Sequence, residues 1–158
     1  MASRSKAKPL PANALPERID LAKALRIALP IGSGAKPSGG GRPEASSKSA
    51  GAAPVDWRDP AAVKQAAPLF TVARGRPVML AIANGTSAAA LFQLHNQPFR
   101  LLDTLDDGWK PFWLDTYPVQ PGQTARVAFV PDAAGKRMLH TRPLTQPEAA
   151  TFWWYAVT

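Results

Sequence analysis

Leu91-Phe92-Gln93-Leu94-His95-Asn96-Gln97-Pro98-Phe99-Arg100-Leu101-Leu102-Asp103 holds one of the chain's two histidines and its most informative alternation. Phe92 and Leu94 alternate with Gln93 and His95, the period-two form that sends the two sets to opposite faces of a strand. Phe99 and Leu101 resume the alternation beyond Asn96-Gln97-Pro98, which is a bend signal. The stretch therefore predicts two strands that pair around a bend. The second histidine, His140, follows in Met138-Leu139-His140-Thr141-Arg142.

The same texture extends outward on both sides. From Trp57 onward, short apolar alternations are separated by turn residues, the pattern of an all-β sandwich or barrel. Strands are expected over 69–73, 78–83, 88–95, 99–103, 112–117, 124–130, 137–139 and 151–157. Arg74-Gly75-Arg76-Pro77, Asn84-Gly85 and Pro121-Gly122 mark turns between them. Residues 104–110 form an acidic loop. No internal repeat is visible.

The first 54 residues differ. All 13 aromatic residues lie at or after Trp57, so this part has no large ring to bury. It carries nine Lys/Arg against three Asp/Glu, so most of the chain's net charge of +8 sits here. Residues 1–16 and 32–54 are rich in Ala, Pro, Gly, Ser and Lys, the composition of a disordered segment and a flexible linker. Between them, residues 18–31 fit two periods. Leu21, Leu25 and Leu29 have helical spacing, while Ile19, Leu21, Leu25, Ile27 and Leu29 fit a strand with a break. The domain reading is a flexible basic extension over 1–54, with a strand at 18–29, followed by a β-domain over 55–158.

Composition removes several function classes. Without cysteine there is no disulfide, no thiolate nucleophile and no Cys-ligated metal. The basic residues of the extension stand singly, with no adjacent run and no interleaved aromatic, which argues against a nucleic-acid arm. No apolar run reaches the length of a membrane span. Residues 21–31 are interrupted by Lys23 and Arg26 and do not read as the apolar region of a signal peptide. Gly39-Gly40-Gly41 lacks the Lys-Ser/Thr of a phosphate loop and reads as linker. Asp103, Asp106, Asp107 and Asp115 could hold a hard cation, but Asp-Asp-Gly in a loop is ordinarily a solvated turn. No catalytic residue is assigned.

One set of motifs, in order, resembles a known family. It comprises Gly75-Arg76-Pro77-Val78-Met79-Leu80, Asn84-Gly85-Thr86, Phe92-x-Leu94-His95-x-x-Pro98-Phe99-Arg100-Leu101-Leu102-Asp103, Trp109-x-Pro111-Phe112-Trp113-x-Asp115-Thr116, Pro121-Gly122-Gln123-Thr124 and Met138-Leu139-His140. Together they are similar to the C-terminal plastocyanin-like domain of multicopper oxidases, the laccase-type proteins, including copper-free relatives. The resemblance covers residues 66–158. It implies a Greek-key β-sandwich of cupredoxin type, and it favours a strand in 18–31, because the family often opens this domain with an Arg-Ile-Asp-Leu-like run. Full-length members carry two or three such domains, with a mononuclear copper in the last and a trinuclear cluster between first and last.

Carried over position by position, the resemblance places a mononuclear-copper histidine on Ala90. It places cluster histidines on Gln93 and His95. In the second motif the first histidine falls on His140, the cysteine on Thr141 and the next histidine on Arg142. The later histidine falls on Gln146 and the axial methionine on Thr151. Blue copper needs a soft thiolate, two imidazoles and a weak axial sulfur, and Ala90, Thr141, Gln146 and Thr151 supply none of these. Arg142 adds a permanent positive charge. His95 and His140 remain as the candidate metal residues, with hydrogen-bonding groove residues as their alternative role.

The expectation is a copper-depleted, non-catalytic module with a structural or interaction role, or the remnant of a truncated oxidase. The alternative is the C-terminal subunit of a split oxidase that completes a copper cluster with a partner. No cofactor is expected for the chain alone, and copper only with a partner chain. The last strand, Thr151-Phe152-Trp153-Trp154-Tyr155-Ala156-Val157, is apolar on both faces, which points to another cupredoxin domain or chain, to self-association, or to cover by the N-terminal segment. The family implies a periplasmic or secreted location, which the sequence itself leaves open.

Overall fold

The computed structural model describes residues 15–32, 48–49, 52–103, 108 and 110–158. The expected disorder over residues 1–16 and linker over 32–54 lie largely outside these residues, as do Gly39-Gly40-Gly41 and the pair Asp106-Asp107.

Two five-stranded sheets pack face to face. The first has the order β2-β1-β4-β8-β6, formed by Lys48–Ser49, Leu25–Ile31, Val78–Asn84, Thr124–Phe129 and Arg100–Leu101. The second has the order β3-β10-β9-β5-β7, formed by Thr71–Val72, Thr151–Val157, Gly135–Pro143, Ala90–Leu94 and Thr116–Val119. From β4 to β9 each successive strand lies in the opposite sheet. The result is the Greek-key β-sandwich of cupredoxin type that the alternation and the motifs predicted.

The bend at Asn96-Gln97-Pro98 does something other than expected. β5 pairs with β7 and β9, whereas β6 pairs with β8, so the strands flanking the bend do not pair with each other. The bend carries the chain across the sandwich. Asn96 takes a left-handed backbone (φ 54), which its short polar side chain tolerates better than most. Buried Gln97 donates to the Pro98 and Val130 carbonyls and so anchors the corner. Phe92 and Phe99 still meet, with ring centroids 5.7 Å apart, but across the core rather than along a hairpin.

The N-terminal segment also departs from the domain reading. A 3₁₀ turn at Leu21–Lys23, capped by the Asp20 carboxylate, precedes a strand that starts only at Leu25 and ends at Ile31. That strand runs parallel to β4 over seven residue pairs, and Ile27 and Leu29 are buried in the main core. Ile19 covers the outer side of the first sheet with Met79, Leu102 and Ala128. Residues 18–31 are therefore built into the sandwich, and a division at residue 54 does not separate them from it.

The core is formed by the inward residues of both sheets, among them Leu80, Ile82, Val127 and Phe129 facing Phe92, Leu94, Leu139 and Tyr155. Each such side chain contributes about 2–3 kcal/mol by leaving water. β4 is buried at every position, because β1 and β8 flank it and cover lies on both faces.

Tyr155 is an exception to good matching in this core. Its ring stacks on Phe70 at 4.8 Å, but its hydroxyl is buried without a hydrogen-bond partner. Burial pushes the hydroxyl's pKa up, so it stays protonated. A buried unmatched hydroxyl loses its water bonds with no return. Tyr155→Phe is expected to raise unfolding free energy by about 1 kcal/mol, read by urea titration, while Tyr155→Leu is expected to lower it by about 3 kcal/mol through lost packing.

Candidate functional site

The alternation in β5 and β9 sorts the singled-out residues onto two sides of the second sheet. In register, Phe92 faces Thr141, Gln93 faces His140, and Leu91 faces Arg142. Since successive side chains point to opposite faces, Phe92, Leu94, Ala90 and Thr141 point into the sandwich, where all four are buried. Gln93, His95, His140 and Arg142 share the outer face.

The two histidines meet there. His95 Nε2 and His140 Nδ1 lie 2.8 Å apart, so one imidazole donates its N–H to the other's lone pair. Their ring centroids are 5.0 Å apart, and the His140 ring stacks on Phe152 at 5.2 Å. The His95 backbone N–H donates to the Met138 carbonyl, which extends the ladder past the end of β5. His140 is buried, with its pKa lowered to about 4 first by burial, then by His95 and Arg142. It is a neutral imidazole at physiological pH. Arg142 is half-buried, and its Nε is buried without a hydrogen-bond partner.

Beside the pair lies an apolar groove of about 200 Å³, lined among others by Val55, Trp57, Met138, Phe152 and Trp154. The outer side of the last strand is covered in part by the chain before β3. Val55 bridges to Phe152, Trp57 meets the Phe152 ring edge-on at 5.8 Å, and Trp154 Nε1 donates to the Ala66 carbonyl. This strap contains a helix, α1 (Pro60–Gln65), that the sequence reading did not anticipate. Its signal was legible in Asp59-Pro60: the Asp59 carboxylate caps the Ala61 N–H at 2.8 Å, and Pro60 suits the first helical turn. Trp57 and Met138 remain exposed at the groove.

Residues 41–146 match the sequence model of a family described as multicopper oxidase. The chain belongs to the multicopper oxidase family. Among solved structures it is similar to a multicopper oxidase from Pseudomonas thermotolerans (TM-score 0.64, 21% identity, 96% of this chain and 33% of that one). It is also similar to one from Pseudomonas parafulva (0.59, 21%, 97% and 34%). A third is the McoA multicopper oxidase of the hyperthermophile Aquifex aeolicus (0.59, 19%, 98% and 33%). At these identities the likeness shows the fold. The chain spans about a third of the length of each of these structures. No curated protein sequence matches it.

The donor chemistry can be set against the copper sites of a multicopper oxidase. Of the residues that the resemblance assigns to a mononuclear copper, Ala90 and Thr141 are buried, Thr151 is half-buried beside Thr141 in register, and Gln146 is exposed. No thiolate, imidazole or thioether stands at any of the four, so this set does not fit blue copper. Of the residues that the resemblance assigns to a copper cluster, His95 and His140 are imidazoles, and their facing nitrogens are already engaged with each other. A tetrahedral ion with bonds of about 2.0 Å holds its donors about 3.3 Å apart, so a shared ion requires the rings to separate. Among the described residues, no group of three or more His, Cys, Asp or Glu is gathered for a metal, and no helix is long and apolar enough to cross a membrane.

Proposed function

We propose that this cupredoxin domain is copper-depleted and non-catalytic, and that it serves as an interaction module whose outer second-sheet face docks on another cupredoxin domain or chain. One observation carries the reading: Ala90, Thr141, Gln146 and Thr151, where the resemblance expects the mononuclear-copper ligands, offer no thiolate, imidazole or thioether, and without that copper the family's entry point for electrons is missing. The groove at Trp57, Met138 and Trp154 supports the docking role, because an apolar face of this kind gains by leaving water.

Copper loading followed by dialysis and metal analysis tests this. The chain alone is expected to retain well under one copper per molecule and to show no blue absorption. Stoichiometric tight copper with a blue band overturns the reading.

The contact of His95 with His140 supports a second reading, in which both complete a copper cluster on a partner chain of a split oxidase. It predicts a partner chain whose cupredoxin domains are rich in His-x-His pairs, and loss of the pair's oxidase activity in His95→Ala. Unchanged activity in that variant removes it.

A further inference from the structure

The outer face of the second sheet carries a cation where a metal cluster would need lone pairs. Where a copper cluster needs imidazole lone pairs, this face presents a guanidinium at Arg142 and an amide at Gln93. Neither side chain is used internally: among the described residues the Arg142 guanidinium takes part in no hydrogen bond or ion pair, and its Nε is buried and unmatched. The Gln93 side chain makes no hydrogen bond among these residues either. β5, β7, β9 and β10 contain no aspartate or glutamate that could pair with Arg142. A buried N–H on a half-buried guanidinium that finds no partner is uncommon in a native structure and calls for one, whether water, ion or ligand.

We propose that Arg142 and Gln93, with the His95–His140 pair beside them, form a carboxylate-binding site on this face. The register places the four side chains together: Gln93 is directly across from His140, Leu91 is across from Arg142, and His140 lies two residues from Arg142 on the same side of β9. The guanidinium's planar fork of donors matches a carboxylate's two oxygens, and charge assistance strengthens such bonds. Arg142 supplies one permanent positive charge, which a monoanion balances. The hydrogen-bonded imidazole pair adds polarity without competing for the anion, because one ring's N–H is held by the other ring. In this arrangement the face repels cations and takes in an acid, either a free small carboxylate or an Asp or Glu side chain of a docked polypeptide.

The inference rests on the reading of these positions as free of copper, but the two fail separately. Copper retention tests the first, and the Arg142 Nε–H resonance tests the second. Proton–nitrogen NMR of the full chain is recorded during addition of sodium acetate, and separately of the blocked peptide acetyl-Ala-Glu-Ala-amide, each against sodium chloride at matched ionic strength. The site predicts a saturable shift of the Arg142 Nε–H and Gln93 amide signals that chloride does not reproduce. Tighter binding of acetate assigns the site to free acids, and tighter binding of the peptide assigns it to a polypeptide side chain. Arg142→Gln is expected to weaken either ligand by about tenfold or more, and Arg142→Lys to recover part of the loss. Gln93→Leu, which keeps the fold-bearing inner face intact, is expected to weaken binding with Arg142 still present. Shifts that follow ionic strength alone, or carboxylate binding that survives in folded Arg142→Gln, overturn the proposal.

Discussion

A chain that begins at Val55 is expected to be unfolded or aggregated, whereas one that begins at Leu15 folds cooperatively. The first start point is the boundary that composition suggests, and the structure explains why it fails. Removing β1 takes Ile27 and Leu29 out of the core and strips one side of β4 along seven residue pairs. It also uncovers Met79 by deleting Ile19. Two buried aliphatic side chains account for about 4–5 kcal/mol, before the opened edge of β4 is considered. That is comparable with the whole stability of a domain this size, about 5–15 kcal/mol. Far-UV circular dichroism with size-exclusion chromatography reads the outcome. A shortened chain that is monomeric and melts like the longer one removes β1 from the essential fold. Leu29→Ala in the full chain is a milder form of the same test, with an expected loss of about 2–5 kcal/mol.

Stability is expected to fall as pH drops from about 6.5 toward 4, with His140 as the main contributor in the upper part of that window. The folded imidazole titrates at about 4, against 6.5 for an unperturbed histidine, because burial, His95 and Arg142 all oppose its charge. Between the two values the unfolded chain binds a proton that the folded chain refuses. The stability this difference provides is therefore complete above 6.5 and is lost as pH falls through the window. With allowance for water reaching the open side of the sheet, the loss by pH 5 is on the order of 1–2 kcal/mol. Urea titrations of the native chain and of His140→Asn at pH 7, 6 and 5 separate this from carboxylate protonation, which acts lower. The native chain should lose stability over this range and the variant much less. Equal slopes would show that His140 is not the group responsible.

The legible parts of this molecule were those set by local period and turn chemistry. Alternation in 91–95 predicted a strand with Phe92 and Leu94 on one face, as observed, and the ordered motifs predicted the family and its sandwich. That Ala90, Thr141, Gln146 and Thr151 offer no thiolate, imidazole or thioether is legible too, since donor chemistry is a property of the side chain itself. The short helix at Pro60–Gln65 was missed despite a readable cap, because six residues give too little period to stand out. The hairpin expected at Asn96-Gln97-Pro98 was an error of a different kind. A bend signal states that the chain turns but not whether it returns to the same sheet, and here buried Gln97 and the Phe92–Phe99 contact fix a crossing.

The sequence by itself determined the fold class and the family, because these depend on residue type and on spacings of a few residues. Only the tertiary structure decided that residues 18–31 belong inside the sandwich, since their partner strand lies some fifty positions later and the alanine-rich pattern admits helix equally well. It alone decided that His95 and His140 touch and that an unmatched Arg142 stands beside them. The pleat sorts side chains between the two faces of a strand, but which strands become neighbours is settled by burial of the whole core, and local sequence does not encode that choice.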